Sequence, residues 1–195
     1  MILGVKRRVR RGLELIAGRL AVVGVTPNHL TLMGLILSGV AALSYAYRHN
    51  VPAAVFLAFG GFLDALDGAL ARSIGGATRA GAVLDSTIDR IGEALVYIGI
   101  MAGGYCPLIL GVSALASSYL VSYIRGRGEM EGIEMEGVGI GERPERLLLL
   151  IVFTALDMVG LSIILLIGLS LFTVYQRISY IAGMSRDGGG GIGDG

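Results

Sequence analysis

The chain has one cysteine, Cys106, so no intrachain disulfide can form and the redox compartment cannot be read from it. Its simplest role is that of a small buried or lipid-facing residue. Lysine is almost missing too: of 16 Lys and Arg residues only Lys6 is a lysine, and charged residues make up 16% of the chain. No internal repeat is evident, and no polar stretch is long enough to form a separate soluble domain. A cleaved signal peptide is not expected, because the run from Leu13 to Val25 is interrupted by Glu14 and Arg19 and lacks an unbroken apolar core. Hydrophobic residues, by contrast, fill 54% of 195 positions and the mean hydropathy is +0.74, which places the chain among integral membrane proteins. At about 20 residues per span there is room for roughly six helices.

The expected architecture is an all-α integral membrane protein, a six-transmembrane-helix bundle with an N-terminal amphipathic interfacial helix. Residues 1–25 supply that helix, with Lys6, Arg7, Arg8, Arg10, Arg11 and Arg19 suited to an anionic membrane surface. Residues 26–182 form the transmembrane catalytic domain, and residues 183–195 a flexible Gly-rich tail. In GVTPNHLT, Pro27 and Asn28 break the chain, and Asn28 or Thr31 can cap a new helix. Spans are expected near 30–47, 52–73, 81–103, 107–126, 143–157 and 159–181. The fifth is short, and only Asp157 to Gly160 separates it from the sixth. If Arg143 and Arg146 are already helical, this run makes two short or tilted helices; otherwise it is one long helix.

With the N-terminus in the cytoplasm, the cytoplasmic connections hold the N-terminal cations, Arg72, Arg79, Arg125, Arg127, Arg143, Arg146 and Arg186, while the opposite face holds little beyond Arg48. That bias obeys the positive-inside rule with both termini cytoplasmic. A multi-pass protein of the plasma membrane, its site facing the cytoplasm, is the expectation. The one sizeable polar loop, from Gly126 to Glu142, carries Glu129, Glu131, Glu134, Glu136 and Glu142.

Against this apolar background stand four aspartates, Asp64, Asp67, Asp85 and Asp89. An ionisable group at membrane depth costs about 2.5 to 3.5 kcal/mol on insertion scales, so such groups mark functional sites. A helix turns about 100° per residue. Asp64, Asp67, Gly68 and Ala71 therefore share one stripe with Arg72 at its border, and Gly81, Asp85 and Asp89 share a stripe on the next helix. Face to face, the stripes converge four carboxylates, which would repel one another and take up protons unless cations joined them. A pair of divalent metals is the natural partner. Oxygen ligands without His or Cys favour Mg²⁺, or Mn²⁺, over zinc, and such ions clamp diphosphates during attack at phosphorus. Gly68, Ala71 and Gly81 leave a flat recess where a planar base could lie, although ordinary helix packing accounts for each of them taken alone. A lone aspartate could equally be half of an ion pair with Arg72, Arg79 or Arg90; four on two stripes overload that explanation.

The string DALDGALARSIGGATRAGAVLDSTID fits D-x2-D-G-x2-A-R-x8-G-x3-D-x3-D without a departure. It resembles the CDP-alcohol phosphotransferases, integral enzymes that displace CMP from a CDP-linked lipid with an alcohol, and the likeness extends to PNHLT, the basic N-terminal segment and the six-span plan. The resemblance implies that Asp64, Asp67 and Asp85 hold the metals. Asp89 would be a metal neighbour and the general base that takes the hydroxyl proton. Thr31, Asp67, Gly68, Ala71, Arg72, Gly81 and Asp85 would line the CDP site, with the Arg72 fork on the phosphates. It also implies a homodimer.

A second constellation, SYIRGR, GIGERPERL and VYQR, looks like segments of the prokaryotic inositol-phosphate branch. By that likeness Arg125, Arg146 and Arg177 would bind the acceptor's phosphate, supported by Ser122 and Arg143. Three arginines near the cytoplasmic ends of three helices can build a dianion site beside the metals, while snorkelling and topology explain each of them singly. Many members carry Lys where Arg125 stands. The shortage of lysine and the MEGVGIGERPERL stretch look closer to archaeal members, so CDP-archaeol is the favoured donor, with CDP-diacylglycerol open. The expected reaction joins myo-inositol 1-phosphate to the CDP-lipid, with Mg²⁺, and releases CMP. Rivals are the same fold using glycerol 3-phosphate, an intramembrane prenyltransferase, and a divalent cation transporter. Partners are the two substrates and membrane lipids; no nucleic acid is expected.

Overall fold

The computed structural model describes residues 2–75 and 78–187, with side chains from residue 12 to 75 and 78 to 184. All regular structure among the described residues is helical: α1 Ile2–Val22, α2 Pro27–Ala46, α3 Asn50–Ser73, α4 Arg79–Ala102, α5 Leu108–Met130, α6 Arg143–Ala155 and α7 Val159–Asp187. The side chains of Lys6, Arg7, Arg8, Arg10, Arg11 and Arg186 lie outside the described residues, as do residues 188–195 of the tail. Helix α7 continues to Asp187, past the boundary expected at residue 182.

Helices α2, α3, α5 and α7 are long and apolar enough to cross a bilayer, which makes this a multi-pass membrane protein. Two expected spans are of a different kind. Helix α4 has the length but carries Arg79, Asp85, Asp89, Arg90 and Glu93. Helix α6 has 13 residues, roughly 20 Å at 1.5 Å per residue, against a hydrocarbon core of about 30 Å. The break before α7 is a left-handed turn: Asp157 has φ 59°, and the Met158 N–H donates to the Phe153 carbonyl at 2.8 Å. This is a Schellman-type stop, so the run from Arg143 makes two helices. Arg48 does the same between α2 and α3, with φ 61° and a His49 N–H to Ser44 carbonyl bond of 2.8 Å.

The helices fall into two compact units, α1 to α4 and α5 to α7. In the first, α2 packs on both α3 and α4. Its face is lined by Gly34, Ser38 and Ala42, a small residue every fourth position. A Cβ on Gly99 of α4 would run into the Ala42 backbone, and one on Gly92 would stand 3.0 Å from Ser38 Oγ. Between membrane helices there is little hydrophobic drive, so this close van der Waals approach of backbones is what holds α2 to α4. Helix α1 lays Leu13, Ala17, Leu20 and Ala21 against Leu63, Leu66, Ala69 and Leu70 of α3, with Leu30 of α2 between them. That i, i+4, i+7, i+8 spacing puts the four on one apolar stripe of the helix, and the stripe is covered by α3.

The first residues of α2 position the site. Thr26, not Asn28 or Thr31, is the N-cap, with its N–H donated to His29 Nδ1 at 3.3 Å and Pro27 in the first turn. Thr31 is thereby one turn inside the helix.

In the second unit α7 packs on α5 and α6. Val159, Ile163, Leu166, Ser170, Thr173 and Arg177 alternate by four and three residues and are all buried. The stripe changes from apolar to polar along the helix and ends in a charge. Against its polar end lies the loop between α5 and α6. The Gly141 N–H donates to Thr173 Oγ1 at 3.0 Å and the Ile140 N–H to Gln176 Oε1 at 3.1 Å. Gly139, at φ 97°, sits where a Cβ would come within 2.6 Å of Thr173 Cγ2. Both its backbone angle and its closeness to α7 demand glycine.

Candidate active site

Asp64 and Asp67 on α3 and Asp85 on α4 each present a carboxylate oxygen, and the three oxygens lie within 4.8 Å of one another. Asp67 is buried, and Asp64 and Asp85 are half-buried. Thr31, itself buried, donates its hydroxyl to Asp67 Oδ2 at 2.9 Å; the Pro27 carbonyl, at 3.1 Å, is the competing acceptor for that one proton. The expected convergence of two stripes is thus realised for three of the four aspartates. A cradle of carboxylate oxygens from two helices, with no nitrogen or sulfur donor, fits a hard divalent cation. Burial of one member makes such a cation the ready means of compensating the clustered charge.

Asp89 is outside this triad. Its Oδ2 lies 3.8 Å from Nη1 of Arg90, so the ion pair weighed as the alternative for a lone aspartate is present at this one. The glycines of the motif have local reasons. The Gly81 N–H donates to Oγ1 of Thr78, the N-cap of α4, at 3.0 Å, and a Cβ on Gly81 would stand 2.9 Å from that oxygen. Arg72 Nη1 lies 3.3 Å from where a Cβ of Gly68 would be, so the arginine folds back over the glycine one turn before it. Ala71 is half-buried and Arg72 exposed.

The arginines expected to take the acceptor's phosphate stand in the second unit. Arg177 is 1% exposed. Its Nε donates to the Val138 carbonyl at 2.9 Å, its Nη1 to the Val121 carbonyl at 2.6 Å, and its Nη2 to Glu142 Oε1 at 3.3 Å. One guanidinium therefore ties α7 to α5 and to the α5–α6 loop. Arg146, also buried, donates from Nη1 to the Gly141 carbonyl at 2.8 Å. Arg125 donates to Glu129 at 2.9 Å and approaches Glu142 Oε1 at 3.8 Å. Arg143 is half-buried at the start of α6. The Ser122 hydroxyl is 3.4 Å from the Ser118 carbonyl of its own helix, and Arg127 pairs with Glu131. Arg125 and Arg177 thus meet at Glu142, which sequence reasoning had left among the loop acids. Its position directly before Arg143 and Pro144, at the N-cap of α6, was the available signal, since an acid there also meets the helix's positive end.

Four helices apolar enough to span a bilayer and a cluster of three carboxylates that fits a hard divalent cation define the class, a multi-pass membrane protein with an acidic cation cradle. Residues 24–180 match the family model for CDP-alcohol phosphatidyltransferases, and the chain belongs to that family. It is 38% identical over 178 residues to archaetidylinositol phosphate synthase of Pyrococcus horikoshii, covering 91% of this chain and 95% of that one. Phosphatidylinositol phosphate synthase of Corynebacterium glutamicum is 37% identical over 79% of this chain and 76% of its own. Among solved structures, phosphatidylinositol phosphate synthase of Mycobacterium tuberculosis with CDP-DAG bound superposes with a TM-score of 0.74 at 32% identity, over 87% of this chain and 92% of that one. The same protein in complex with manganese and citrate gives 0.73 at 32% identity, over 86% and 87%.

Proposed function

We propose that this protein transfers the lipid phosphatidyl-type group of a CDP-lipid to myo-inositol 1-phosphate and releases CMP. The observation that carries the reading is the carboxylate triad of Asp64, Asp67 and Asp85 inside the family's motif. CDP-archaeol is the favoured donor, in keeping with the archaeal synthase at 38% identity; CDP-diacylglycerol is the alternative.

Asp64, Asp67 and Asp85 would hold two Mg²⁺ ions, with Mn²⁺ able to substitute. Held there, they would supply positive charge against the oxygens of the diphosphate. The protein's own groups do the rest. Thr31, by its bond to Asp67 Oδ2, fixes the carboxylate that is most buried. Arg72, exposed at the end of α3, offers a forked donor pair to phosphate oxygens, and Gly68, Ala71 and Gly81 admit the nucleotide. Asp89 would accept the proton of the attacking hydroxyl, with Arg90 beside it as its ion-pair partner. Arg125, Arg146 and Arg177, with Ser122 and Arg143, would receive the acceptor's phosphate, and holding it by several charged donors orients the hydroxyl for in-line attack. The chain would sit in the plasma membrane as six spans, α2 to α7, with α1 at the interface, as a homodimer whose sites face the cytoplasm. Exposed Leu15, Ile16 and Val22 on α1, with Val23 just after it, support the interfacial placement.

The test is an assay of purified protein with CDP-archaeol or CDP-diacylglycerol and a choice of radiolabelled acceptors. Incorporation of inositol phosphate with stoichiometric CMP is the expected result. Incorporation of glycerol 3-phosphate alone would reassign the acceptor, and metal uptake into liposomes without CMP would overturn the enzyme reading.

A further inference from the structure

Two arginines from different helices converge on a single carboxylate oxygen: Arg177 Nη2 lies 3.3 Å and Arg125 Nη1 3.8 Å from Glu142 Oε1. Nε and Nη1 of Arg177 are engaged by the Val138 and Val121 carbonyls, which leaves Nη2 as the corner turned toward Glu142. An incoming phosphate that reaches for that corner meets a carboxylate already there. Glu142 is the residue best able to yield. Its side chain is 25% exposed against 2% for Arg177, and its backbone belongs to the end of a loop, the N-cap of α6.

We propose that Glu142 is a built-in stand-in for the acceptor's phosphate: it occupies the Arg125–Arg177 pair in the free protein and is displaced by a phosphate monoester dianion. The role rests on the reading of these arginines as the acceptor's phosphate site. Its physical logic has two parts. A buried guanidinium left without an anion is costly, so the pair needs a resident counter-charge whenever substrate is away. A resident single charge also sets a threshold, because a dianion gains more from two arginines than one carboxylate loses, whereas a neutral polyol gains nothing. Glu142 would therefore lower the affinity for phosphate while discriminating in favour of phosphorylated acceptors.

The test compares wild-type protein with E142Q, whose amide oxygen still accepts from Arg177 but carries no charge. Inorganic phosphate is the probe, read both as a competitive inhibitor and by its effect on thermal unfolding in detergent. E142Q is expected to bind phosphate roughly two- to fivefold more tightly, the factor that corresponds to releasing one part-exposed ion pair. The KM for inositol 1-phosphate should fall by a similar factor, with the KM for the CDP-lipid unchanged. A merely structural Glu142 predicts the opposite split, lower stability with phosphate affinity unchanged or weaker, and that result overturns the proposal. E142D keeps the charge but draws it back from Arg177, and it supplies the same comparison should the glutamine variant not fold. R125Q, run alongside, separates the two claims. If R125Q weakens phosphate binding while E142Q leaves it unchanged, the stand-in fails alone; if R125Q has no effect, the acceptor-site reading fails with it.

Discussion

Thr31 sends its single hydroxyl proton into the buried carboxylate of Asp67, from a helix other than the one that carries the acid. Thr31→Val keeps the shape and removes the donor. A hydrogen bond to a charged group is worth about 1.5–3 kcal/mol, so Mn²⁺ affinity, measured by titration of the free ion's paramagnetic signal, should drop by roughly tenfold or more, with Thr31→Ser restoring most of it. Replacing a ligand goes further: Asp85→Asn is expected to lower CMP release by at least about a hundredfold while the protein stays folded, since loss of a supporting residue alone typically costs ten- to a hundredfold. Arg177→Lys should lower the unfolding temperature by several degrees, because a point-like ammonium cannot hold two carbonyls and a carboxylate set out for a planar fork. At this scale the aspartates were legible because charge is rare in such a chain and their spacing is fixed by the helix. The Thr31–Asp67 bond was not, since the partners are 36 residues apart and a threonine one turn into a helix reads equally as a cap. Glu142 was hidden by company, one acid among several in a loop whose path the residues do not dictate.

Among elements, α2 and α7 are held by different means. Helix α2 is gripped through missing side chains, so filling one should be felt: Gly99→Val is expected to reduce the yield of folded protein on size exclusion and its unfolding temperature. Gly168→Val on α7, where nothing lies within 4 Å, should change neither. Helix positions followed from apolar runs and stop signals, and the observed helices fall within four residues of the expected spans except at the end of α7, which runs six further. The α6–α7 boundary was ambiguous from sequence because an aspartate seldom adopts the left-handed angle that ends a helix, and here Asp157 does. The N-terminal helix was expected to lie on a membrane surface, yet its Leu13, Ala17, Leu20 and Ala21 stripe packs on α3. Periodicity gives the face and not the partner.

For the molecule as a whole, the proposed six-span topology sets the short turn between α4 and α5 on the side away from the arginines. Cys106, the lone cysteine, is in that turn and offers a native probe. A membrane-impermeant maleimide should label it from outside intact cells and not from the cytoplasmic face of inverted vesicles. Burial pushes its thiol up, so the thiolate that reacts accumulates only at a higher pH than for a free cysteine, and labelling should accelerate as the medium is made alkaline. Chelation should stop CMP release and added Mg²⁺ or Mn²⁺ should restore it. The polar end of α7 bears on how such a chain is made at all. Synthesis runs from the N-terminus, so Val121, Val138 and Glu142 have all left the ribosome before Arg177 follows them. This enclosed guanidinium is thus the last of the set to be delivered, and it meets acceptors already in place instead of waiting bare beside the lipid.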